Sequence, residues 1–207
     1  MDPITRISPW SKTRWRCCVS MNVYDFDKTI YVRDSSVDFI RYCLKKKPYL
    51  FFPYLLPLIK GVYKRFVLHT GKEAMKEEFF SILTHFEDRE GLIKEFWDSH
   101  ESGIKDLYRG LKRDDDLIIS ASPEFLIREI GKRLGVRVIA SPLDLHTLKY
   151  TGKNCHGEEK VVRYHEYTEE PVEAFYSDSL SDTPLARLAK EAWLVQGEKL
   201  IPWPKGD

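Results

Sequence analysis

The amino-acid sequence predicts an α/β protein with a parallel, doubly wound sheet and a helical segment inserted after the first strand. Two observations lead to this prediction. In the C-terminal half, short apolar stretches of strand length alternate with stretches of helical periodicity, which is the pattern of a parallel sheet. Between the first two apolar stretches, residues 34–112 show helical periodicity and no obvious strand. The chain has 207 residues, 43% of them hydrophobic, which suits one core with one insertion.

The first predicted strand, NVYDFD, covers residues 22–27 and follows a segment of different character. Residues 1–20 carry four basic side chains against one acidic one, and they lack the apolar run of a signal peptide. We therefore expect residues 1–20 to be a disordered or non-native extension, with a basic targeting arm as the alternative. The core is then expected to comprise residues 21–33 and 113–207, and a helical cap to comprise residues 34–112.

The remaining core elements follow in alternation. The stretch DLIIS, residues 116–120, is the second predicted strand and is apolar enough to be buried on both faces. A helix is predicted from Pro123 to a cap at Gly135, because proline fits a first helical turn and glycine fits a left-handed C-terminal cap. The other predicted elements are a third strand at residues 136–141, a helix from near Gly157, a fourth strand at 173–179, a short helix at 182–190 and a fifth strand at 192–197.

The inserted segment contains two stretches of helical periodicity, KEAMKEEFFSILTHF and REGLIKEFWDSHESGIKDLYRGL. Four aromatic side chains are expected to form the interior of this cap: Phe79, Phe80, Phe86 and Phe96. Ligands of doubly wound sheets bind beyond the carboxyl ends of the strands, and the insertion begins at one such end. We therefore expect the cap to cover the site and to influence the choice of substrate.

One part of the insertion is both basic and apolar. Residues 39–72 contain eight lysines and arginines and no acidic residue. The apolar run at residues 48–59 is interrupted by Pro53 and Pro57, and it is shorter than the roughly 20 residues of a membrane-spanning helix. Two interpretations stay open: a cap helix packed on its neighbours, or a basic, aromatic surface that contacts anionic lipid.

Overall composition limits the classes of partner and compartment. The formal net charge is +1, so the overall charge gives no reason to expect nucleic acid binding. We therefore expect no nucleic acid partner. The four cysteines have no zinc-type spacing, which favours a reduced, intracellular protein. We expect a cytoplasmic protein, with peripheral contact to the inner membrane surface as an option, and the oligomeric state is left open.

Polar side chains cluster at the predicted carboxyl ends of the strands. Because these ends meet at one edge of a parallel sheet, we expect the side chains to face one crevice. A lysine in the stretch CHGEEKVVRYHEY, between the third and fourth strands, is expected to join them. The candidate residues are Asp25, Asp27, Thr29, Ser120, Lys160, Asp178 and Asp182.

This set suits phosphoryl transfer. Two aspartates one residue apart repel each other unless a cation lies between them, and carboxylate oxygens suit Mg²⁺. Asp25 is the better nucleophile because it ends the strand, and Asp27 can donate a proton to a leaving alkoxide and later take one from water. Lys160 would hold Asp25 and balance charge, Ser120 would bind a phosphoryl oxygen, and backbone N–H groups near Ala121 would add further donors.

The four motifs DFDKT, ISASPEFL, HGEEKV and YSDSLSD resemble, in order, those of the haloacid dehalogenase (HAD) superfamily of aspartate-nucleophile hydrolases. The resemblance extends from Met21 to Trp203, and the insertion after the first motif resembles subfamily IB, which includes phosphoserine phosphatases and phosphatidylglycerophosphate phosphatases. It implies a Rossmann-like core of strand order 5-4-1-2-3, a helical cap and a Mg²⁺ cofactor. The resemblance implies that Asp25 is the nucleophile and a metal ligand, and that Asp27 is the acid/base group and binds the metal through its backbone carbonyl. It implies phosphate binding by Thr29, Ser120, Ala121 and Lys160. It also implies that Asp178 binds the metal directly and that Asp182 binds it through water.

The expected activity is that of a Mg²⁺-dependent phosphomonoesterase working through an aspartyl phosphate. Phosphoserine phosphatases carry glycines where this chain reads SASP and SDSLSD, whereas DSSVDFIRYCLKK is more similar to the lipid-phosphate branch. A phospholipid-headgroup phosphate such as phosphatidylglycerophosphate is therefore the first expectation, and phosphoserine or another small soluble ester is the alternative. A phosphoacceptor signalling domain, or a basic module that binds membrane or RNA, is a more distant interpretation.

Overall fold

The computed structural model describes residues 20–69 and 72–204, and residues 1–19 of the predicted extension lie outside this part. The described residues form a six-stranded sheet in the order β3-β2-β1-β4-β5-β6. Its strands are β1 (Met21–Tyr24), β2 (Leu117–Pro123), β3 (Arg137–Ser141), β4 (Val172–Ser177), β5 (Ala189–Gln196) and β6 (Lys199–Pro202). Neighbouring strands from β3 to β5 are parallel, as the alternating sequence pattern predicts.

The sheet differs from the expected five-stranded order by one strand at its edge. Read from β5, the first five strands follow the expected order 5-4-1-2-3, and β6 pairs antiparallel with the outer side of β5. Gly197 has φ +62° and lies in the two-residue turn that joins β5 to β6. The sequence predicts that the last strand ends at this glycine and predicts no strand after it. Glycine with a left-handed backbone in a short turn is also what a β-hairpin requires, and here the turn leads into β6.

Helices connect the strands, and most of them lie between β1 and β2. The α-helices are α1 (Ser35–Lys46), α2 (Phe51–Phe66), α3 (Lys72–Phe80), α4 (Arg89–His100), α5 (Asp106–Leu111), α6 (Glu124–Leu134), α7 (Glu158–Tyr167) and α8 (Thr183–Ala186). The first helical stretch predicted in the insertion ends in a 3₁₀ turn at Ser81–His85, and the second is divided by a 3₁₀ turn at Glu101–Gly103. We refer to α1–α5 as the inserted helices.

The ends of α6 agree with the signals in the sequence. Pro123 precedes the helix at its N-cap position, and Gly135 follows it with φ +69°, in the left-handed region that glycine tolerates. At α1, the carboxylate of Asp34 accepts a hydrogen bond from the backbone N–H of Val37 at 2.9 Å. This cap places the start of α1 directly after the first motif, and the site depends on that placement.

The sheet is buried on both faces, so β1 and β2 contribute alternate residues to two apolar clusters. Met21 and Val23 lie in one cluster with Leu117, and Tyr24 lies in the other with Ile118. The second cluster also takes in the inserted helices, including the predicted aromatic set, of which Phe80 and Phe96 are buried and Phe79 and Phe86 are partly buried. The prediction that these aromatics form an interior is therefore confirmed.

Helix α2 departs from expectation, because the prolines do not interrupt it. Pro53 lies in its first turn and Pro57 lies inside it, yet the helix is continuous from Phe51 to Phe66.

None of the helices in the described ranges has the length and apolar character needed to cross a bilayer.

Candidate active site

The first motif reverses the chain immediately after β1. The strand ends at Tyr24, so the prediction that it continues to Asp27 is wrong, although the backbone N–H of Asp25 still donates to the carbonyl of Tyr176 on β4 at 2.8 Å. The carbonyl of Phe26 accepts from the N–H groups of Ile30 and Tyr31, both at 2.9 Å. This tight turn keeps Asp25 at the carboxyl end of the sheet and brings the following residues back beside it.

A buried ammonium group lies between two carboxylates. Nζ of Lys160, on α7, donates to Oδ1 of Asp25 and to Oδ2 of Asp182, both at 2.6 Å. Lys160 is 1% exposed, and both aspartates are buried. Oδ2 of Asp182 also accepts from the hydroxyl of Ser177 at 2.8 Å. Residues far apart in the sequence thus form one buried charged cluster, as predicted for Asp25 and Lys160.

Burial and charge have opposing effects in this cluster. Burial raises the pKa of Asp25 above its ordinary value, against the lowering effect of the Lys160 ammonium. Burial alone would lower the pKa of Lys160, but Asp25 and Asp182 together outweigh it and raise that pKa. Lys160 therefore stays charged, and its charge is what permits two carboxylates to be buried so close together.

Asp27 faces a different set of groups from Asp25. Its Oδ1 accepts from the backbone N–H of Ser35 at 2.7 Å, at the start of α1, and its Oδ2 accepts from the hydroxyl of Ser122 at 2.5 Å. Burial, with a further contribution from Asp34, raises the pKa of Asp27 to about 6, while the hydrogen bonds from Ser122 and Ser35 oppose the rise. A carboxyl group with such a pKa can exchange protons near neutral pH.

The second motif contains an irregularity in β2. Ser120 pairs with Ala140 of β3 and Pro123 pairs with Ser141, so Ala121 and Ser122 are extra residues on β2. Bulges of this kind redirect side chains near active sites. Here Oγ of Ser120 accepts from the N–H of Ser122 at 3.1 Å, and both serines are buried.

A lysine from the inserted helices reaches this bulge. Nζ of Lys76, on α3, donates to the carbonyl of Ala121 at 2.5 Å and to Oδ1 of Asn154 at 2.7 Å. Burial lowers the pKa of Lys76 to about 8, against the raising effect of Asp27. Ser141 donates to the same Ala121 carbonyl at 2.7 Å. The backbone at the predicted phosphate-binding residue Ala121 is thereby fixed from two sides.

Thr29 and Asp178 connect the first and fourth motifs. The backbone N–H of Asp178 donates to Oγ1 of Thr29 at 2.9 Å, and Thr29 is buried. The Asp178 side chain is partly buried, and burial raises its pKa, while Lys28 opposes the rise. The Asp178 carboxylate receives no hydrogen bond from another residue of the described part of the chain. The side chain is thus positioned at the site with its oxygens available.

The predicted metal ligands do not form a compact metal cluster. Across residues 20–69 and 72–204, no three acidic, histidine or cysteine side chains lie close enough to hold a metal ion together. One oxygen of Asp182 is taken by Lys160 and Ser177. The donor set still suits Mg²⁺, which needs only one or two carboxylates and keeps several waters, because Asp25 and Asp178 follow adjacent strands.

Several groups that shape the site escaped prediction. Ser122 is not among the predicted site residues, yet its hydroxyl is the one that contacts Asp27. The backbone of Ser35 could have been expected from the helix-start pattern RDSS, which places an N-terminal N–H near the first motif. Ser177 and Lys76 carry no local signal, because their roles depend on how distant segments pack.

The order of the motifs and their geometry agree with a comparison against protein families. Residues 23–187 match the family model described as haloacid dehalogenase-like hydrolase. The chain belongs to this family. The match covers all four motifs and the inserted helices, so the haloacid dehalogenase-like assignment supports a hydrolase. A search of curated proteins found no match.

Solved structures agree with this fold. A protein of unknown function from Bordetella pertussis Tohama I superposes with a TM-score of 0.66 at 20% identity, over 84% of this chain and 88% of that one. A phosphoserine phosphohydrolase-like protein from Francisella tularensis gives a TM-score of 0.54 at 13% identity, over 84% and 85% of the two chains. At such identities, these likenesses establish the fold alone.

Proposed function

We propose that this haloacid dehalogenase-like protein is a Mg²⁺-dependent phosphatase that hydrolyses a phosphate monoester through an aspartyl phosphate on Asp25. The observation that carries the proposal is the contact between the buried Asp25 carboxylate and the Lys160 ammonium at 2.6 Å, at the carboxyl end of β1. Asp27, two residues on, is separately held by neutral donors. A nucleophile and an acid/base group thus stand side by side in different surroundings.

In the first half-reaction, a carboxylate oxygen of Asp25 attacks phosphorus. A bond forms between that oxygen and phosphorus, the ester P–O bond breaks, and the leaving alkoxide takes a proton from Asp27. Lys160 orients Asp25 through its Oδ1. The hydroxyl of Ser120 and the N–H of Ala121 are proposed to bind phosphoryl oxygens at the bulge of β2, with Thr29 assisting from the first motif.

In the second half-reaction, water attacks phosphorus and Asp27 accepts a proton from it. The bond between phosphorus and the Asp25 oxygen breaks, which releases inorganic phosphate and regenerates the carboxylate. The hydrogen bonds from Ser122 and Ser35 hold Asp27 in position for both proton transfers. One residue thus acts as acid and then as base.

A metal ion fits the proposal through Asp25 and Asp178, with the backbone carbonyl of Asp27 as a third oxygen donor. Asp178 is suited to this role because its carboxylate lies at the site without a hydrogen bond from another described residue. When bound, Mg²⁺ would neutralise phosphoryl charge and relieve the repulsion between the acids. Asp182, which the sequence resemblance assigns to the metal through water, is proposed mainly to hold Lys160.

The nucleophile is tested with Asp25→Asn and an exposed control, Asp114→Asn. We expect Asp25→Asn to abolish hydrolysis of p-nitrophenyl phosphate without loss of the folded state, and Asp114→Asn to retain full activity. Mass spectrometry of wild-type protein quenched during turnover should find phosphate on Asp25. Wild-type turnover by Asp25→Asn would remove this residue from the nucleophile role, and a long-lived phosphoaspartate without turnover would favour a signalling phosphoacceptor.

The metal is tested by treatment with EDTA followed by Mg²⁺. Activity should disappear and return, and Mg²⁺ should raise the melting temperature of the wild-type protein but not of Asp178→Asn. Full activity in EDTA would contradict the metal assignment.

The substrate is proposed to be a phosphate monoester on an anionic lipid headgroup, with a small soluble ester such as phosphoserine as the alternative. The departures at SASP and SDSLSD from the glycines of phosphoserine phosphatases support the first proposal. The description of the Francisella protein as phosphoserine phosphohydrolase-like supports the second. The two are compared by kcat/KM for phosphatidylglycerophosphate and for phosphoserine, and an equal or reversed preference would count against the lipid substrate.

A further inference from the structure

Helix α2 exposes a continuous apolar stripe. The side chains of Phe52, Leu56, Ile59, Tyr63 and Phe66 recur every three or four residues, so they lie on one face of the helix. Phe52 is 78% exposed, Leu56 71% and Phe66 68%. Isolated exposed apolar residues need no explanation, but a contiguous row of large ones on one helix marks a contact surface. We call these five residues the α2 stripe.

The opposite face of α2 packs against α3. Gly61 is buried, and a Cβ atom there would lie 2.9 Å from the ring of Phe79, so α2 and α3 approach closely. The hydroxyl of Tyr54 donates to the carbonyl of Phe79. Because α2 is fixed through this inner face, the α2 stripe cannot turn inward without loss of the contact with α3.

The surroundings of the α2 stripe are positively charged. Residues 39–72 carry eight basic side chains and no acidic one, and of these Lys45 and Lys46 end α1 and Lys47 follows it, before the 3₁₀ turn Pro48–Leu50 that leads into α2. Lys60 and Lys64 pair with Glu78 of α3, which holds α2 on its neighbour. The segment that contains the stripe therefore has a strong positive charge of its own.

We propose that the α2 stripe docks on the surface of an anionic lipid bilayer. A helix of 16 residues is about 24 Å long, and with Lys60, Lys64 and Arg65 along it, it can lie in the interface with its apolar side chains among the acyl chains. Lys60 is 63% exposed although it contacts Glu78, so Lys60 and Arg65, whose guanidinium lies over the ring of Phe66, can face the lipid headgroups, where each basic residue adds attraction to a negative surface. This inference does not require the proposed reaction.

A second copy of the chain is the main competing occupant of the α2 stripe. A symmetric dimer would bring the same patch of both copies together, and with it two segments that each carry eight bases and no acid. Like charges brought together in this way oppose association, whereas an anionic bilayer offers opposite charge along the whole face. Charge complementarity therefore favours the bilayer.

The proposal is tested by flotation of the full chain with vesicles of phosphatidylcholine alone or with 30 mol% phosphatidylglycerol, roughly the anionic content at which polybasic surfaces bind. The stripe variant is Phe52→Ser with Leu56→Ser. Its control is Val162→Ser with Leu188→Ser, two exposed apolar residues outside the inserted helices. Asp25→Asn is included, because its binding should match that of the wild type if docking and catalysis are separate.

We expect the wild type, the control and Asp25→Asn to bind the anionic vesicles, and the stripe variant to bind at least about tenfold more weakly with an unchanged melting temperature. Binding should fall at 0.5 M NaCl and on pure phosphatidylcholine. Equal binding by the stripe variant and the wild type, equal binding to both vesicle types, or no binding by the wild type would each overturn the proposal. A dimer by light scattering that the stripe variant abolishes would assign the surface to a second copy instead. If hydrolysis failed while the vesicles still bound, only the proposed reaction would be lost.

Discussion

Replacement of Lys160 by methionine tests whether the buried ammonium holds the site together. Methionine keeps an unbranched chain of similar length but removes the charge that contacts Asp25 and Asp182 at 2.6 Å. In the variant, two buried carboxylates face each other without a cation between them. The exposed Lys153, in the loop before α7, provides the matched control as Lys153→Met.

The cost follows from the burial of the cluster. Removal of one partner from a buried ion pair costs about 3–5 kcal/mol, because the remaining charge stays desolvated. The carboxylates can escape part of this cost by binding protons, which raises their pKa in the folded state. A raised folded-state pKa stabilises the fold at low pH and loses that effect as the pH rises, by up to about 1.4 kcal/mol per pH unit for one group. The defect of Lys160→Met should therefore be largest at alkaline pH.

The assay is urea unfolding followed by circular dichroism at pH 8 and pH 5. We expect Lys160→Met to lose about 3–5 kcal/mol of unfolding free energy at pH 8 and clearly less at pH 5, and Lys153→Met to stay within about 0.5 kcal/mol of the wild type. Addition of Asp182→Asn to Lys160→Met should recover at least about 1 kcal/mol at pH 8, since one uncompensated charge is removed. A loss below about 1 kcal/mol for Lys160→Met at pH 8, or no recovery in the double variant, would refute the reasoning.

Two further predictions concern stability away from the site. Asp116 is fully buried, its Oδ1 has no hydrogen-bond partner among the described residues, and burial raises its pKa to about 6. The stabilisation that protonated Asp116 gives is present below about pH 4 and is lost as the pH rises through about 6. Asp116→Asn should therefore raise the free energy of unfolding by about 2 kcal/mol at pH 8 and leave it unchanged at pH 4. Equal effects of the substitution at both pH values in urea titrations would contradict this. Gly131→Ala should destabilise by about 1–3 kcal/mol, because its Cβ would lie 2.2 Å from Cγ2 of Val138. Gly110→Ala, in α5 with open space around it, should stabilise by up to about 1 kcal/mol, and thermal melts that show the same sign for both variants would reject this account.

The sequence allowed the site to be predicted where a local rule applied. Strands that alternate with helices imply a parallel sheet, and a parallel sheet collects the residues after its strands at one edge. Asp25 and Asp178 directly follow β1 and β4, and Ser120 lies near the carboxyl end of β2, so their assembly required only the strand assignments. Lys160 was harder, because a lysine in a helix is usually solvated, and only the ordered motif pattern singled it out.

Other features depend on tertiary contacts that leave no local pattern. Lys76 looks like any other charged residue of an amphipathic helix, yet its ammonium reaches the carbonyl of Ala121 on β2. The bulge that makes Ser122, and not Ser120, the partner of Asp27 arises in the pairing of β2 with β3. Pro57 predicted an interruption of α2, but a helix can contain a proline when its neighbours and flanking turns hold it in place.

The two aspartates of the first motif show why one residue of separation is useful. Asp25 contacts an ammonium group that it shares with Asp182, whereas Asp27 contacts a hydroxyl and a backbone N–H. Four carboxylates lie at this edge of the sheet, the fourth being Asp178, whereas the Lys160 ammonium contacts only Asp25 and Asp182 and Lys76 acts on Asp27 without contacting it, which leaves excess negative charge where an anionic phosphate ester must bind. Protonation relieves that charge, as the raised pKa values indicate, but a proton on Asp25 also removes its nucleophilicity. A divalent cation held by Asp25 and Asp178 would offset the same charge and leave Asp25 ionised, and this is the physical reason to place Mg²⁺ in the proposed site.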